Sequence, residues 1–300
     1  MLLDSLLVHP DTHEPLRVDW EHRNIHGNLN GSYRSGFYEN VPYVLPFSTS
    51  EIPTPDIHHR SGSTFNYPDH YEQDAETFDY FEAIPGKVDR EERNRLNQMI
   101  INRIPEHANT ILDVGCGNAW LAREKVDERT RVLSMDISSR NPIQALKRVP
   151  HFNHEALIAD VFHLPLRMNS FDCVVASEIM EHVPDPRLFI SKLLDVVRPG
   201  GKLIITTPYN EQIQYHLCIH CNRPTPAHAH LHSFHEKNVA ALIPESVTES
   251  TLHAFSHKYL NKSRLYVMIQ GFPFWLWKSI DRMANKAWRH PMRLMVEIVK

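Results

Sequence analysis

Between residues 110 and 206 the chain alternates short apolar runs with amphipathic stretches. Ile111–Val114, Val132–Met135, Leu157–Ala159, Phe171–Ala176 and Lys202–Thr206 are of strand length and bounded by turn formers, which predicts five buried strands. Between them Ile143, Leu146 and Val149, then Leu188, Phe189, Leu193 and Val196, recur at helical spacing. Strands that alternate with helices predict a parallel sheet with a ligand at its carboxyl edge. Downstream, Val247–Phe255 and Arg293–Val299 read as further strands, and Phe272–Trp288 as an amphipathic helix carrying Trp275, Ile280, Met283 and Trp288. Upstream, Arg90–Ile104 reads as a helix with Leu96, Met99, Ile100 and Ile104 on one face.

The first of these strands runs into ILDVGCGNA, Ile111 to Ala119. Gly115 and Gly117 carry no side chain, so a ligand can approach the backbone where the following helix presents its free N–H groups. A glycine pair after a strand is also what an ordinary tight turn looks like. The second strand ends at Asp136, about 20 residues further on, where an acid accepts hydrogen bonds from ribose hydroxyls. The third ends at Asp160. A dinucleotide fingerprint needs a glycine or alanine three residues after Gly117, and Trp120 stands there, which argues against a nicotinamide enzyme.

The ordered series DVGCG, Asp136, ADVFHLPLRMNSFDCVVASEIMEH and RPGGKLIITTP resembles the class I S-adenosylmethionine-dependent methyltransferases, in the branch that contains small-molecule methylases. The resemblance is close over Thr110–Thr207 and looser to residue 300. It implies a Rossmann-like three-layer α/β sandwich with a mostly parallel seven-stranded sheet, its last strand antiparallel. It also implies S-adenosylmethionine as cofactor: Asp113, Gly115 and Gly117 around the methionine part, Asp136 at the ribose, and Asp160 with Val161 at the adenine edge. Ala119 stands where the family often has a third glycine.

After the fourth strand, Ser177-Glu178-Ile179-Met180-Glu181-His182 places Glu178, Glu181 and His182 on one face of a helical turn. Two carboxylates and an imidazole either hold a divalent cation, zinc or magnesium, or leave His182 as general base beside Glu181. The E-x-x-E-H arrangement is similar to that of the ubiquinone-pathway O-methyltransferases and of the small-RNA 3′-end 2′-O-methyltransferases. In the latter, a histidine from beyond the fifth strand completes a metal site, and His230 holds the corresponding position here. The same region offers Cys218-x-x-Cys221 followed by His228, His230, His232 and His235. Cys218, Cys221 and His230 are therefore an alternative zinc set.

Residues 1–48 are rich in turn formers and resemble, weakly and without its cysteines, a small zinc-ribbon-like domain: His9 and Thr12 stand at its first knuckle. Such a region must rest on apolar packing. Residues 49–109 are expected to be a linker containing His58 and His59, followed by a helical cap. Residues 110–300 are expected to be the methyltransferase domain, with insertions at 208–235 and 258–290. Net charge is −4 and the pI about 6.6, which disfavours nucleic acid as the main partner. No run is long enough to span a bilayer, and four cysteines do not make a disulfide framework. A cytoplasmic enzyme acting on a hydroxyl of a small molecule is the leading expectation. RNA 2′-O-methylation and a non-catalytic, cofactor-binding regulator are the alternatives. The aromatic helix near residue 280 is expected to pack in the core; lining an acceptor pocket, touching a membrane and contacting a second copy in a homo-oligomer are its other uses.

Overall fold

The computed structural model describes residues 1–47, 52–53, 64–219 and 222–300. His58 and His59, with most of the expected linker, lie outside the described residues, as does Cys221. The strands of the main sheet are β1 (Tyr33–Tyr38), β2 (Val41–Pro46), β3 (Thr110–Val114), β4 (Arg131–Asp136), β5 (His154–Ala159), β6 (Phe171–Ser177), β7 (Val197–Pro208), β8 (Glu249–His257) and β9 (Pro291–Val299). The longer helices are α1 (Tyr67–Thr77), α2 (Lys87–Ile101), α3 (Trp120–Lys125), α4 (Arg140–Arg148), α5 (Pro186–Val196) and α6 (Phe274–Ala287).

The order across the sheet is β8-β9-β7-β6-β3-β4-β5-β2-β1. The run from β2 to β7 is parallel, whereas β9 is antiparallel to both β7 and β8. Strands covered on both faces must be apolar on both: Ile111, Leu112, Val132, Leu133, Val174 and Val175 are all fully buried. Successive residues of these strands point to opposite faces, so one core cluster contains Leu112, Leu133 and Val174 and the other Ile111, Val132 and Val175. Asp185 caps α5 by accepting the Leu188 N–H at 2.9 Å, with Pro186 in the first turn.

The seven strands from residue 110 onward match the expected sheet, and two more come from the N-terminal region. β2 pairs in parallel with β5 (Tyr43 with Ile158, Val44 with Ala159), and β1 folds back on β2 as a hairpin. Leu3, Leu7, Leu16, Ile25 and Val44 belong to the same cluster as Leu112 and Val174. Each buried leucine there contributes about 1.5–3 kcal/mol. His9 closes its turn through its ring, Nδ1 accepting the N–H groups of Asp11 and Thr12 at 3.1 and 3.2 Å.

The expectation for α6 needs correction. Its buried face carries Trp277 and Asp281, while Trp275, Met283 and Trp288 are exposed. The Asp281 carboxylate holds the helix down by accepting the N–H groups of Ser256 and His257 at 3.1 and 2.6 Å and the Tyr266 hydroxyl at 2.5 Å. Arg95 of α2 lies 5.8 Å from the Trp277 ring centre and is bound to Glu91 at 2.6 Å. A satisfied acid thus takes an inward place that hydrophobic periodicity assigns to the outer face.

Candidate active site

The turn after β3 is shaped by backbone. Gly115 and Gly117 have φ of +67° and +45°, a region that a side chain makes costly. A Cβ on Gly115 would sit 2.2 Å from Ile179 Cδ1, so this glycine also lets the loop after β6 pack over the turn. Ala119 adopts φ +55° immediately before α3, consistent with glycine being frequent at this position in the family it resembles.

Asp113 and Asp136 stand at the ends of neighbouring strands. Asp113 is buried, and its Oδ2 has no hydrogen-bond partner. Burial, and then the negative charge of Asp136, push its carboxyl up to about 7. Asp136 is itself raised by burial. It accepts from Ser138 N–H at 3.0 Å and Asn141 Nδ2 at 3.1 Å, and Gly117 N–H approaches at 3.5 Å. An orphaned acid and a held acid at one sheet edge suit a ligand that brings a cation and hydroxyls.

Next to them a cavity of about 220 Å³ is lined by Ile137, Ser139, Asp160, Glu72, Arg34 and Tyr38 among others. Asp160 accepts the Tyr67 hydroxyl at 2.6 Å, the Phe162 N–H at 3.0 Å and His163 Nδ1 at 3.0 Å. Val161 is half-buried beside it. Glu72 of α1 accepts the Ser139 N–H at 2.7 Å. The helix before the sheet and the N-terminal hairpin therefore both border this end of the site.

Past β6, Glu181, His182 and His230 each offer a ligand atom within 4.8 Å of the others. Residues 180–182 form a single 3-10 turn. The Glu181 carbonyl accepts the Leu231 N–H at 2.8 Å and the His232 N–H at 3.3 Å, which stitches the histidine-rich loop to that turn and delivers His230. Glu181 is buried and held at Oε2 by the Thr207 hydroxyl at 3.0 Å; burial and Glu178 raise its carboxyl. His182 is pushed down to about 3 by burial and by His230, so its ring is neutral at physiological pH. Its Nδ1 has no hydrogen-bond partner. His230 Nδ1 lies 2.5 Å from Glu211 Oε2; a carboxylate there fixes the proton on Nδ1 and leaves Nε2 as a donor of electrons.

Glu178 stands apart from this group. The one-face expectation assumes a continuous helical turn, and Glu178 has φ +59°. Its Oε2 binds Arg293 of β9 at 2.5 Å, and Arg293 also binds Glu92 of α2 at 2.8 Å. Of the other histidines, His232 Nε2 meets the Val183 carbonyl at 3.0 Å, and His235 caps the short helix Glu236–Ala240. The alternative set of Cys218, Cys221 and His230 includes a residue outside those described; among the described residues His230 stands with Glu181, His182 and Glu211.

Sequence reasoning missed Thr207, Glu211, Glu72, Tyr67, Glu92 and Arg293. Arg293 opened a run read as a strand, where a cation reads as an edge residue. Glu211 and Thr207 sit in stretches with no periodicity.

A family model described as a methyltransferase domain matches residues 112–205. Ubiquinone biosynthesis O-methyltransferase from Erwinia tasmaniensis is 29% identical over 124 residues, 38% of this chain and 50% of that protein. The protein of the same description from Escherichia coli is 28% identical over 156 residues, 47% of this chain and 64% of that one. The matches thus span about half to just under two thirds of those relatives. A solved S-adenosylmethionine dependent methyltransferase from Mesorhizobium loti is 20% identical, covers 72% of this chain and all of its own, and has a TM-score of 0.49.

Proposed function

Taking as premise that residues 112–205 carry an S-adenosylmethionine-dependent methyltransferase domain, we propose that this protein methylates a hydroxyl group of a small molecule. The observation that carries the reading is the convergence of Glu181, His182 and His230 just past the end of β6, the strand that pairs with β3.

In this reading Asp113 and the Gly115–Gly117 turn hold the methionine part of the cofactor, Asp136 the ribose, and Asp160 with Val161 the adenine. The orphaned Asp113 Oδ2 suits the cofactor's ammonium. Glu181, His182 and His230 would hold a divalent cation, which would supply Lewis-acid activation of the acceptor hydroxyl. Their chemistry fits: one carboxylate, one neutral imidazole with an unpartnered nitrogen and one imidazole oriented by Glu211. Thr207 keeps the Glu181 carboxylate in place. Without a cation, His182 is the group positioned to take the hydroxyl proton. In either version the protein's main contribution is to align the acceptor oxygen with the methyl carbon for in-line displacement.

The test combines elemental analysis with methyl transfer from S-adenosylmethionine to a panel of catechols and phenols. Glu181→Ala and His182→Ala should each lower turnover by about 100-fold or more, while S-adenosylhomocysteine affinity stays within about twofold. Full activity in both variants would sink the assignment. Metal-free wild type with chelator-resistant turnover would reject the cation and leave His182 as base.

A further inference from the structure

The segment from residue 258 to 290 contains seven of the chain's 32 lysines and arginines but one of its 36 acids. That acid is Asp281, buried and committed to the Ser256 and His257 amides. The solvent side of the segment is therefore purely cationic, while the rest of the chain carries the excess of acids. Burial, followed by Arg103 and Arg282, holds the Lys278 ammonium below its usual range, as crowded positive charge does.

The same segment also exposes several large apolar side chains. Met268 is 77% exposed, Phe272 52%, Trp275 65% and Met283 70%. On α6 the outward positions are Trp275, Ser279, Arg282, Met283 and Lys286, because Trp277 and Asp281 fix the opposite face inward. Fourteen residues extend about 21 Å along the surface; before them, Met268 ends the short helix Leu265–Met268 and Phe272 lies two residues ahead of α6. On the helix itself, Trp275 and Met283 cannot turn inward without breaking the Asp281 anchor.

We propose that this face is a membrane-docking surface that rests α6 on a bilayer containing anionic lipid, with Trp275, Phe272 and the two methionines entering the headgroup region and Arg282 and Lys286 meeting lipid phosphates. An aromatic and methionine stripe flanked by lysine and arginine on a convex helix is what such an interface takes. A second copy suits it poorly, since a two-fold contact would press identical cationic patches together. Single-stranded RNA stacks on aromatic platforms, whereas Met268 and Met283 offer no ring. The proposal does not depend on the acceptor of methyl transfer.

Co-sedimentation of the full chain with vesicles of phosphatidylcholine and phosphatidylglycerol (3:1) tests it, against pure phosphatidylcholine, at about 0.1 M salt. Binding to the anionic vesicles should exceed binding to the neutral ones at least tenfold. The pairs Trp275→Ser with Met283→Ser, and Arg282→Glu with Lys286→Glu, should each lose at least tenfold. All these side chains are exposed, so unchanged circular dichroism and S-adenosylhomocysteine binding should accompany the loss. Absence of binding to anionic vesicles would overturn the proposal, as would binding that survives the Trp275 and Met283 pair. Two further results would also overturn it: poly(U) binding that only the charge variants reduce, or a dimer in light scattering that the Trp275 and Met283 pair dissolves.

Discussion

At the scale of single residues, the proposed role of Asp113 at the cofactor makes binding dependent on pH. Its folded-state carboxyl titrates at about 7, above the value of about 3.9 in an unfolded chain. Its contribution to stability is thus complete below about pH 4 and is lost as pH rises through 7. A cofactor ammonium needs the ionised form, so binding should release a proton near neutrality. S-adenosylhomocysteine should bind about tenfold more weakly at pH 6 than at pH 8, and Asp113→Asn should flatten that dependence. Calorimetry in two buffers of different ionisation enthalpy checks both statements, and a flat wild-type profile would count against them. His182 has the opposite sign. Its depressed value means that the unfolded chain binds its proton first, so this residue costs stability as pH falls from about 6.5 towards 3.

At the scale of elements, Arg293 ties three segments that are far apart in sequence: α2 through Glu92, the loop after β6 through Glu178, and β9 itself. All three side chains are largely buried. Removing the cation strands two carboxylates, so Arg293→Ala should cost about 3–5 kcal/mol. Arg293→Leu combined with Glu92→Gln and Glu178→Gln should recover much of this. Urea titration of the three proteins checks it; equal stability of the single and triple variants would show that the charges are not coupled. The strands were legible in the sequence because β3 to β7 are apolar on both faces. The glycine turn was legible because Gly115 and Gly117 take a positive φ that a side chain makes costly. Glu178 and α6 were misread for one shared reason. Periodicity assumes regular backbone and treats an acid as outward, whereas Glu178 has a left-handed φ and Asp281 is buried with backbone partners. The Arg293 network and the Glu211 support of His230 leave no local trace, since they join residues 201 and 19 positions apart.

For the whole molecule, the N-terminal region is part of the main sheet. β2 covers the edge of β5, and the leucines before it complete the core beneath β3 and β6. Deleting residues 1–47 should therefore expose both an unpaired strand and an apolar face. The truncated protein should aggregate or bind a hydrophobic dye, and residues 1–47 alone should show no cooperative unfolding. A soluble, cooperatively folded truncation would mean that the region is an independent appendage. The weak resemblance to a zinc-ribbon-like module did not reveal this pairing, because nothing in residues 33–46 announces which distant strand they will join.

The pairing of Tyr43 with Ile158 also sets a clock for the nascent chain. A ribosome adding about 5–20 residues per second takes roughly 6–23 s to cover the interval between them. For that time the first hairpin exists without the strand that it will protect. Hairpins form in about 1–10 μs, so β1 and β2 have ample time to find each other and nothing else to pair with. The exposed edge of β2, with Leu3, Leu7 and Leu16 uncovered, is then a ready target for holding chaperones or for a neighbouring nascent chain on the same message. Slowing synthesis between residues 47 and 154 should raise the yield of aggregated product, although it leaves the finished sequence unchanged.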